Sequence, residues 1–177
     1  VLSGATLRYT TDGSTPTAKS KEFPADGLTI KETTVVRIRA FQPEYVPSPT
    51  VSATYFINDD PATPIVSLIT DEDYLFNKKT GALVKGTGSI PNYDKELEYP
   101  INIEYFTGDG MCEINQMGTF TCSGHSARIN AQKSIALYAR KAYGNDRFAF
   151  NPFPTRDYDS YKSILLRAAN SDTYATR

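Results

Sequence analysis

The sequence predicts a mainly β fold in two units, on three observations. The 177 residues include 12 Tyr, 9 Phe and no Trp, with 11 each of Gly and Pro, a composition typical of strands separated by tight turns. Apolar residues alternate with polar ones in several short segments, as in strands with one buried face. A polar segment with two prolines at 58–64 divides the chain, so we predict domains at 1–60 and 61–177.

The first unit begins with a strand at 6–11 and a turn at Asp12-Gly13. Asp-Gly favours a turn because glycine accepts a positive φ and aspartate hydrogen-bonds its own backbone. Along 36–41, apolar residues alternate with arginines, which predicts a strand whose apolar side chains face the core and whose arginines face water. A strand at 52–57 completes the unit.

The second unit is predicted to be an antiparallel, β-rich domain with little helix. One short helix is expected, because Asp71, Glu72 and Asp73 suit the positive end of a helix dipole. Gly-containing turns at 107–110 and 143–146 separate the later strands. The predicted strands are 65–70, 101–106, 118–122, 133–140 and 163–167.

Charge and hydropathy exclude two classes of partner. Lys plus Arg (19) nearly balances Asp plus Glu (20), so no broad field attracts nucleic acid or an anionic membrane surface. No apolar run approaches the roughly 20 residues of a transmembrane helix, so no transmembrane segment is predicted. Because Val1 is not an initiator, we expect the chain to be a mature form or a fragment of a longer protein.

Cys112 and Cys122 are the two cysteines, ten positions apart with Gly118 between them. A hairpin that turns near 116–118 would bring them face to face, so a cross-strand disulfide is geometrically feasible. Two unpaired buried thiols are the equally weighted alternative.

Residues 7–17 read Leu-Arg-Tyr-Thr-Thr-Asp-Gly-Ser-Thr-Pro-Thr. This phrase resembles the small β-sandwich module at the C-terminus of chitobiase and β-hexosaminidase-like enzymes, and the strand at 35–40 and the ending at 55–57 fit the same family. The resemblance covers residues 1–58 and implies an Ig-like β-sandwich. That family has one or two strands before the phrase, so we expect the module to be incomplete at its N-terminus, with an exposed sheet edge.

The second unit contains a series of short phrases in order. They are 67–70 with Leu75-Phe76 and Gly81, then 124–128, 132–134, 139–144, 152–153 and 165–172. Together, over residues 62–177, they resemble the N-terminal part of the kinase domain of the spore-coat protein H (CotH) family of atypical protein kinases.

The candidate nucleotide-binding residues are Gly124, Arg128 and Lys133. A glycine turn that leads into a strand carrying a lysine suits phosphates, because backbone N–H groups and the ammonium group both face anionic oxygens. Arg128 would add a bidentate contact. The alternative for each of the three is ordinary solvated surface, and Gln132 stands where the family often has a further lysine.

His125 is the only histidine, so a Ser-His-Asp triad would need it as base, and no Gly-Xaa-Ser-Xaa-Gly segment accompanies it. Two cysteines and one histidine give at most three of the usual soft zinc ligands. The acidic segment at 71–73 lacks the spaced ligands and glycine of an EF-hand. We therefore predict no metal site, and a turn position for His125.

The CotH resemblance implies a parent protein that transfers phosphate from ATP, with magnesium, to a protein substrate or cell-surface component, in an extracellular or cell-surface location. In that family the magnesium-binding acids follow the phrase at 165–167, so we expect this chain alone to be inactive and give Asp172 no catalytic role. The alternative is a non-catalytic binding or spacer module of a secreted carbohydrate-active or cell-surface protein, with carbohydrate as a candidate partner.

Overall fold

The computed structural model describes residues 4–59, 62–153 and 155–168. Within them the predicted mainly β fold is confirmed, and the helix α1 (Glu72–Phe76) is short. No helix among these residues is long and apolar enough to cross a membrane. The strands are β1 (Thr6–Thr10), β2 (Lys21–Glu22), β3 (Thr34–Phe41), β4 (Val51–Tyr55), β5 (Ile65–Ile69), β6 (Tyr99–Phe106), β7 (Cys112–Ser123), β8 (Ser134–Tyr138), β9 (Phe148–Ala149), β10 (Ser160–Tyr161) and β11 (Ser163–Leu166).

The strands form a four-stranded, a five-stranded and a two-stranded sheet. The four-stranded sheet has the order β2-β1-β3-β4, and all its pairs are antiparallel. The five-stranded sheet has the order β11-β8-β7-β6-β5, with β8 antiparallel to both of its neighbours. Strands β9 and β10 pair antiparallel by themselves.

The chain divides into two compact units. Unit 1 comprises Val1–Asp71 and Glu104–Asn115, and unit 2 comprises Glu72–Ile103 and Gln116–Arg177. The predicted boundary at residue 60 lies outside the described residues, and the predicted domains 1–60 and 61–177 stay a prediction.

The turn at 12–15 is held by its own side chains. Asp12 Oδ1 accepts hydrogen bonds from the Ser14 N–H (3.0 Å) and the Ser14 hydroxyl (2.6 Å), and these lower the pKa of the Asp12 carboxyl. The Thr10 hydroxyl donates to the Ser14 carbonyl at 2.6 Å. Gly13 has a φ of +80°, so the Asp-Gly turn forms as the sequence predicts.

Strand β3 does not have the water-facing arginines that its alternation predicts. Val36 is buried as expected, at 6% exposure, but Arg37 is buried as well, at 5%. Arg37 Nη1 donates to the Gly13 carbonyl at 2.8 Å and lies 3.2 Å from Asp71 Oδ1. The prediction was wrong at Arg37 because the turn at 12–15 and Asp71 supply the partners that let a guanidinium be buried.

Asp71 was predicted to lie in the first turn of the short helix. It lies instead just before α1, because the helix begins at Glu72. Its carboxylate instead accepts hydrogen bonds from the Thr15 N–H (2.7 Å) and the Thr15 hydroxyl (2.8 Å), beside Arg37. Asp71 therefore ties the turn at 12–15 to the short segment between β5 and α1.

Glu104 is a buried carboxylate in unit 1, at 1% exposure. It accepts hydrogen bonds from the Thr54 N–H (3.0 Å), the Thr54 hydroxyl (2.5 Å) and the Asn115 side-chain amide (2.9 Å). Such multiple donors are what a buried charge requires, and they join β4, β6 and β7.

Strand β7 corrects the prediction for the cysteines. It runs unbroken from Cys112 to Ser123, so the hairpin turn expected at 116–118 is absent. Both cysteines are free, because two residues ten positions apart on one extended strand cannot approach each other. Gly118 is needed here for a different reason: a Cβ at this position would lie 2.5 Å from the Tyr138 carbonyl oxygen of β8.

Candidate functional site

A cleft of about 350 Å³ opens on unit 2, next to the predicted site. Charged and polar residues from β7, the end of β8 and the segment before β6 line it. The lining residues are Glu96, Glu98, Thr121, Cys122, Ser123, Arg128, Tyr138 and Arg140. Of the three predicted site residues, Arg128 lines this cleft.

The glycine turn precedes a single 3-10 turn, Ser126–Ile129. Gly124 has a φ of +104°, a conformation that favours glycine, and its added Cβ would lie 3.9 Å from Arg128 Cγ. The N–H groups of Arg128 and Asn130 are engaged within the turn, to the carbonyls of His125 and Ala127. Gly124 therefore sets the start of the turn that positions the Arg128 side chain.

Arg128 is a largely buried cation with incomplete pairing. Its side chain is 20% exposed, and its Nη1 lies 3.4 Å from Asp94 Oδ1. Within the described residues, its buried Nε has no hydrogen-bond partner. The guanidinium group thus retains donor capacity that the described part of the chain does not use.

Lys133 lies just before β8, which begins at Ser134, and not on the strand as predicted. Its Nζ donates to the Asn130 carbonyl at 2.7 Å and lies 5.0 Å from the centre of the Tyr93 ring. The side chain is half-buried and is not part of the cleft lining.

Cys122 shows that Arg128 and Lys133 share one neighbourhood. Burial raises the pKa of the Cys122 thiol, and the positive charges of Arg128 and Lys133 act in the opposite direction. Both cations therefore lie close enough to influence the same buried sulfur atom. Cys122 lies on β7 and lines the cleft with Arg128, whereas Gly124 and Lys133 are not among the lining residues.

Arg140 is a second cation of the cleft that sequence reasoning did not single out. Its Nε and Nη2 each donate to a different carboxylate oxygen of Glu98 at 2.8 Å. The pair lowers the pKa of the Glu98 carboxyl and raises the pKa of the Arg140 guanidinium. The sequence pattern could place Arg140 at the end of a strand. It could not identify Glu98 as its partner, because Glu98 lies 42 positions away.

The cleft is close to neutral in charge. Two arginines and two glutamates line it, and Glu98 neutralises Arg140 through the bidentate pair. Glu96, which is exposed, has a positive φ of 53° in the turn before β6. Recognition here would rest on directed hydrogen bonds more than on a strong positive field.

His125 precedes the 3-10 turn, is exposed, and accepts the Arg128 N–H through its carbonyl. In the described part of the chain, no group of three or more His, Cys, Asp or Glu side chains could hold a metal ion. Asp172, to which no catalytic role was given, lies outside the described residues.

The comparisons with known proteins concern the N-terminal part of the chain. No curated protein and no solved structure matches the chain. Residues 2–55 match the family described as Fn3 associated, which supports the predicted β-sandwich module at the N-terminus. The matched segment ends with β4, and it holds the turn at 12–15 together with the whole of the four-stranded sheet.

Proposed function

We propose that unit 2 carries a phosphate-binding cleft of a CotH-like atypical protein kinase that acts outside the cell or at its surface. The proposed ligand is ATP, with Arg128 contacting phosphate oxygens from the cleft wall and Lys133 supplying a second positive charge. The family assignment and the location come from the sequence phrases, whereas the cleft geometry supports the choice of phosphate.

The incomplete pairing of Arg128 is the observation that carries the proposal. A buried donor without a partner costs about 1–3 kcal/mol, and the ion pair to Asp94 is long, at 3.4 Å. Phosphate oxygens accept two parallel hydrogen bonds from one guanidinium group. A bound phosphate would therefore give Arg128 interactions that it lacks in the free chain.

Lys133 would have to leave its present contacts to reach the ligand. It donates to the Asn130 carbonyl and lies over Tyr93, but its flexible four-carbon stem lets the ammonium group turn. The magnesium that this kinase family implies does not fit the described residues, which offer no group of three candidate ligands.

Calorimetric titration with ATP and with adenosine tests the proposal on this chain. We expect ATP to bind and adenosine not to bind, because the phosphates make the proposed contacts. Arg128→Ala should weaken ATP binding about tenfold, the loss of one charge-assisted contact. Arg156→Ala removes an exposed arginine outside the cleft and is the matched control. Equal affinities for ATP and adenosine, or full ATP affinity in Arg128→Ala, would overturn the proposal.

A non-catalytic binding or spacer module is the second candidate, and the matched N-terminal segment favours it. Arg37 donates to the Gly13 carbonyl, and the Thr15 N–H donates to Asp71. The phrase at 7–17 therefore contributes to the stability of the fold. Tyr45 is 63% exposed and offers a ring on which a sugar could stack. A glycan array tests this candidate: binding that is lost in Tyr45→Ala supports a carbohydrate module, and uniform silence favours a spacer.

A further inference from the structure

Arg140 is fixed in the cleft wall by three contacts. Glu98 accepts hydrogen bonds from the Nε and Nη2 of Arg140, both at 2.8 Å. The guanidinium carbon lies 4.8 Å from the centre of the Tyr138 ring. Glu98 is fixed in turn by the Thr119 hydroxyl, which donates to it at 2.6 Å. A guanidinium group held in this way loses little conformational entropy when a ligand arrives.

The pair with Glu98 leaves part of the guanidinium group available. An arginine has five N–H donors, and the two bonds to Glu98 use one on Nε and one on Nη2. Within the part of the chain that the structure describes, three donors therefore remain, two on Nη1 and one on Nη2. The side chain is 42% exposed and lines the cleft, so these donors are open to a ligand.

We infer that Arg140 is a second phosphate-contacting residue of this cleft, held in place by Glu98. The inference rests on the proposed function, because it assigns a further contact to the same ligand. Glu98 offsets the charge of Arg140, so Arg140 acts through oriented hydrogen bonds. Arg128, whose partner Asp94 is more distant, supplies the stronger local charge.

Titration with ATP tests the inference on Arg140→Ala and Arg140→Lys. We expect Arg140→Ala to weaken ATP binding about tenfold, as for a charge-assisted contact. Arg140→Lys should also weaken it, because an ammonium group paired with Glu98 lacks the planar fork that serves two acceptors at once. The melting temperature of each variant, measured without ligand, separates loss of contact from loss of fold.

The outcomes separate this inference from the proposed function. If Arg128→Ala weakens ATP binding while both Arg140 variants bind as the wild type does, the inference is wrong and the proposed function stands. If the wild type binds no ATP, both fail. If Arg140→Ala unfolds, the ATP affinity of the double variant Glu98→Gln/Arg140→Gln, in which both side chains are neutral, is measured instead. About tenfold weaker ATP binding supports the contact, and wild-type affinity contradicts it.

Discussion

Arg37 and Arg128 are both largely buried arginines, and in each the Nε atom has no partner within the described residues. Arg37 nevertheless has a 2.8 Å bond to the Gly13 carbonyl and a 3.2 Å contact with Asp71. Among the residues that the structure describes, the Arg128 guanidinium group has the 3.4 Å contact with Asp94 alone, and Arg128 borders a cleft. An unpaired Nε alone is therefore no mark of a binding site; the weak ion pair and the cleft distinguish Arg128.

Replacing Arg37 with methionine should strongly destabilise unit 1. The change removes the partner of Gly13 and Asp71 while keeping most of the side-chain volume. Because Asp71 is 30% exposed, water can partly solvate it, and we expect a loss of about 3 kcal/mol in the free energy of unfolding, at the low end for a broken buried pair.

Urea denaturation measures this loss, with Arg8→Met as the control. Arg8 lies 3.9 Å from an exposed glutamate, Glu22, and donates to the Ser20 carbonyl at 3.1 Å, so its replacement should cost only about 1 kcal/mol. Equal losses in the two variants would show that the buried pair of Arg37 does not stabilise the fold.

Strands β7 and β8 come close together at Gly118. An alanine Cβ there would meet the Tyr138 carbonyl oxygen at 2.5 Å, which the backbone cannot accept without separating the strands. We expect Gly118→Ala to lower the free energy of unfolding by about 2 kcal/mol, measured by urea denaturation. Gly108→Ala, whose nearest neighbour is 3.8 Å away, is the control, and a loss as large there would contradict the steric explanation.

The Glu98–Arg140 pair connects the segment before β6 with the end of β8. Hydrogen bonds from Arg140 hold the pKa of Glu98 below its ordinary value of 4.5. A carboxyl with a lowered pKa contributes stability that is present above pH 4.5 and is lost as the pH falls through the folded-state pKa. The pair should therefore stabilise unit 2 at neutral pH and fail in acid.

Unfolding titrations at a series of pH values between 7 and 3 test this dependence. Glu98→Gln should lose less stability than the wild type as the pH falls below 4.5. Glu113→Gln, which alters an exposed glutamate, should follow the wild type. Parallel curves for the wild type and Glu98→Gln would mean that Glu98 is not stabilised in the folded state.

For the strands, the sequence predicted where each lies in the chain better than it predicted which of their faces are buried. Alternation and turn residues located β1, β3, β4, β5, β6, β8 and β11 to within a few residues. Alternation could not show that the second face of β3 is covered, because the cover at Arg37 comes from the turn at 12–15 and from Asp71. Gly118 looked like a turn residue, although it serves a close approach of two strands.

For the whole molecule, the sequence singled out one residue that lines the cleft of unit 2. This residue is Arg128, whereas Gly124 and Lys133 are not among the lining residues, and their role as a nucleotide site stays a prediction. The partner of Arg128, Asp94, could not be predicted, because it lies 34 positions away and the contact depends on how separate turns pack. Arg140 and Glu98 were missed because their pairing is long-range and no local pattern marks it.

The central claim is that the cleft of unit 2 binds phosphate through Arg128. Proton–nitrogen correlation spectra of the labelled chain, recorded during titration with ATP and separately with adenosine, test it most directly. We predict that the Gly124 amide and the Arg128 Nε–H signals shift with ATP and stay unchanged with adenosine. Unchanged Gly124 and Arg128 signals at saturating ATP, or equal shifts with adenosine, would contradict the claim.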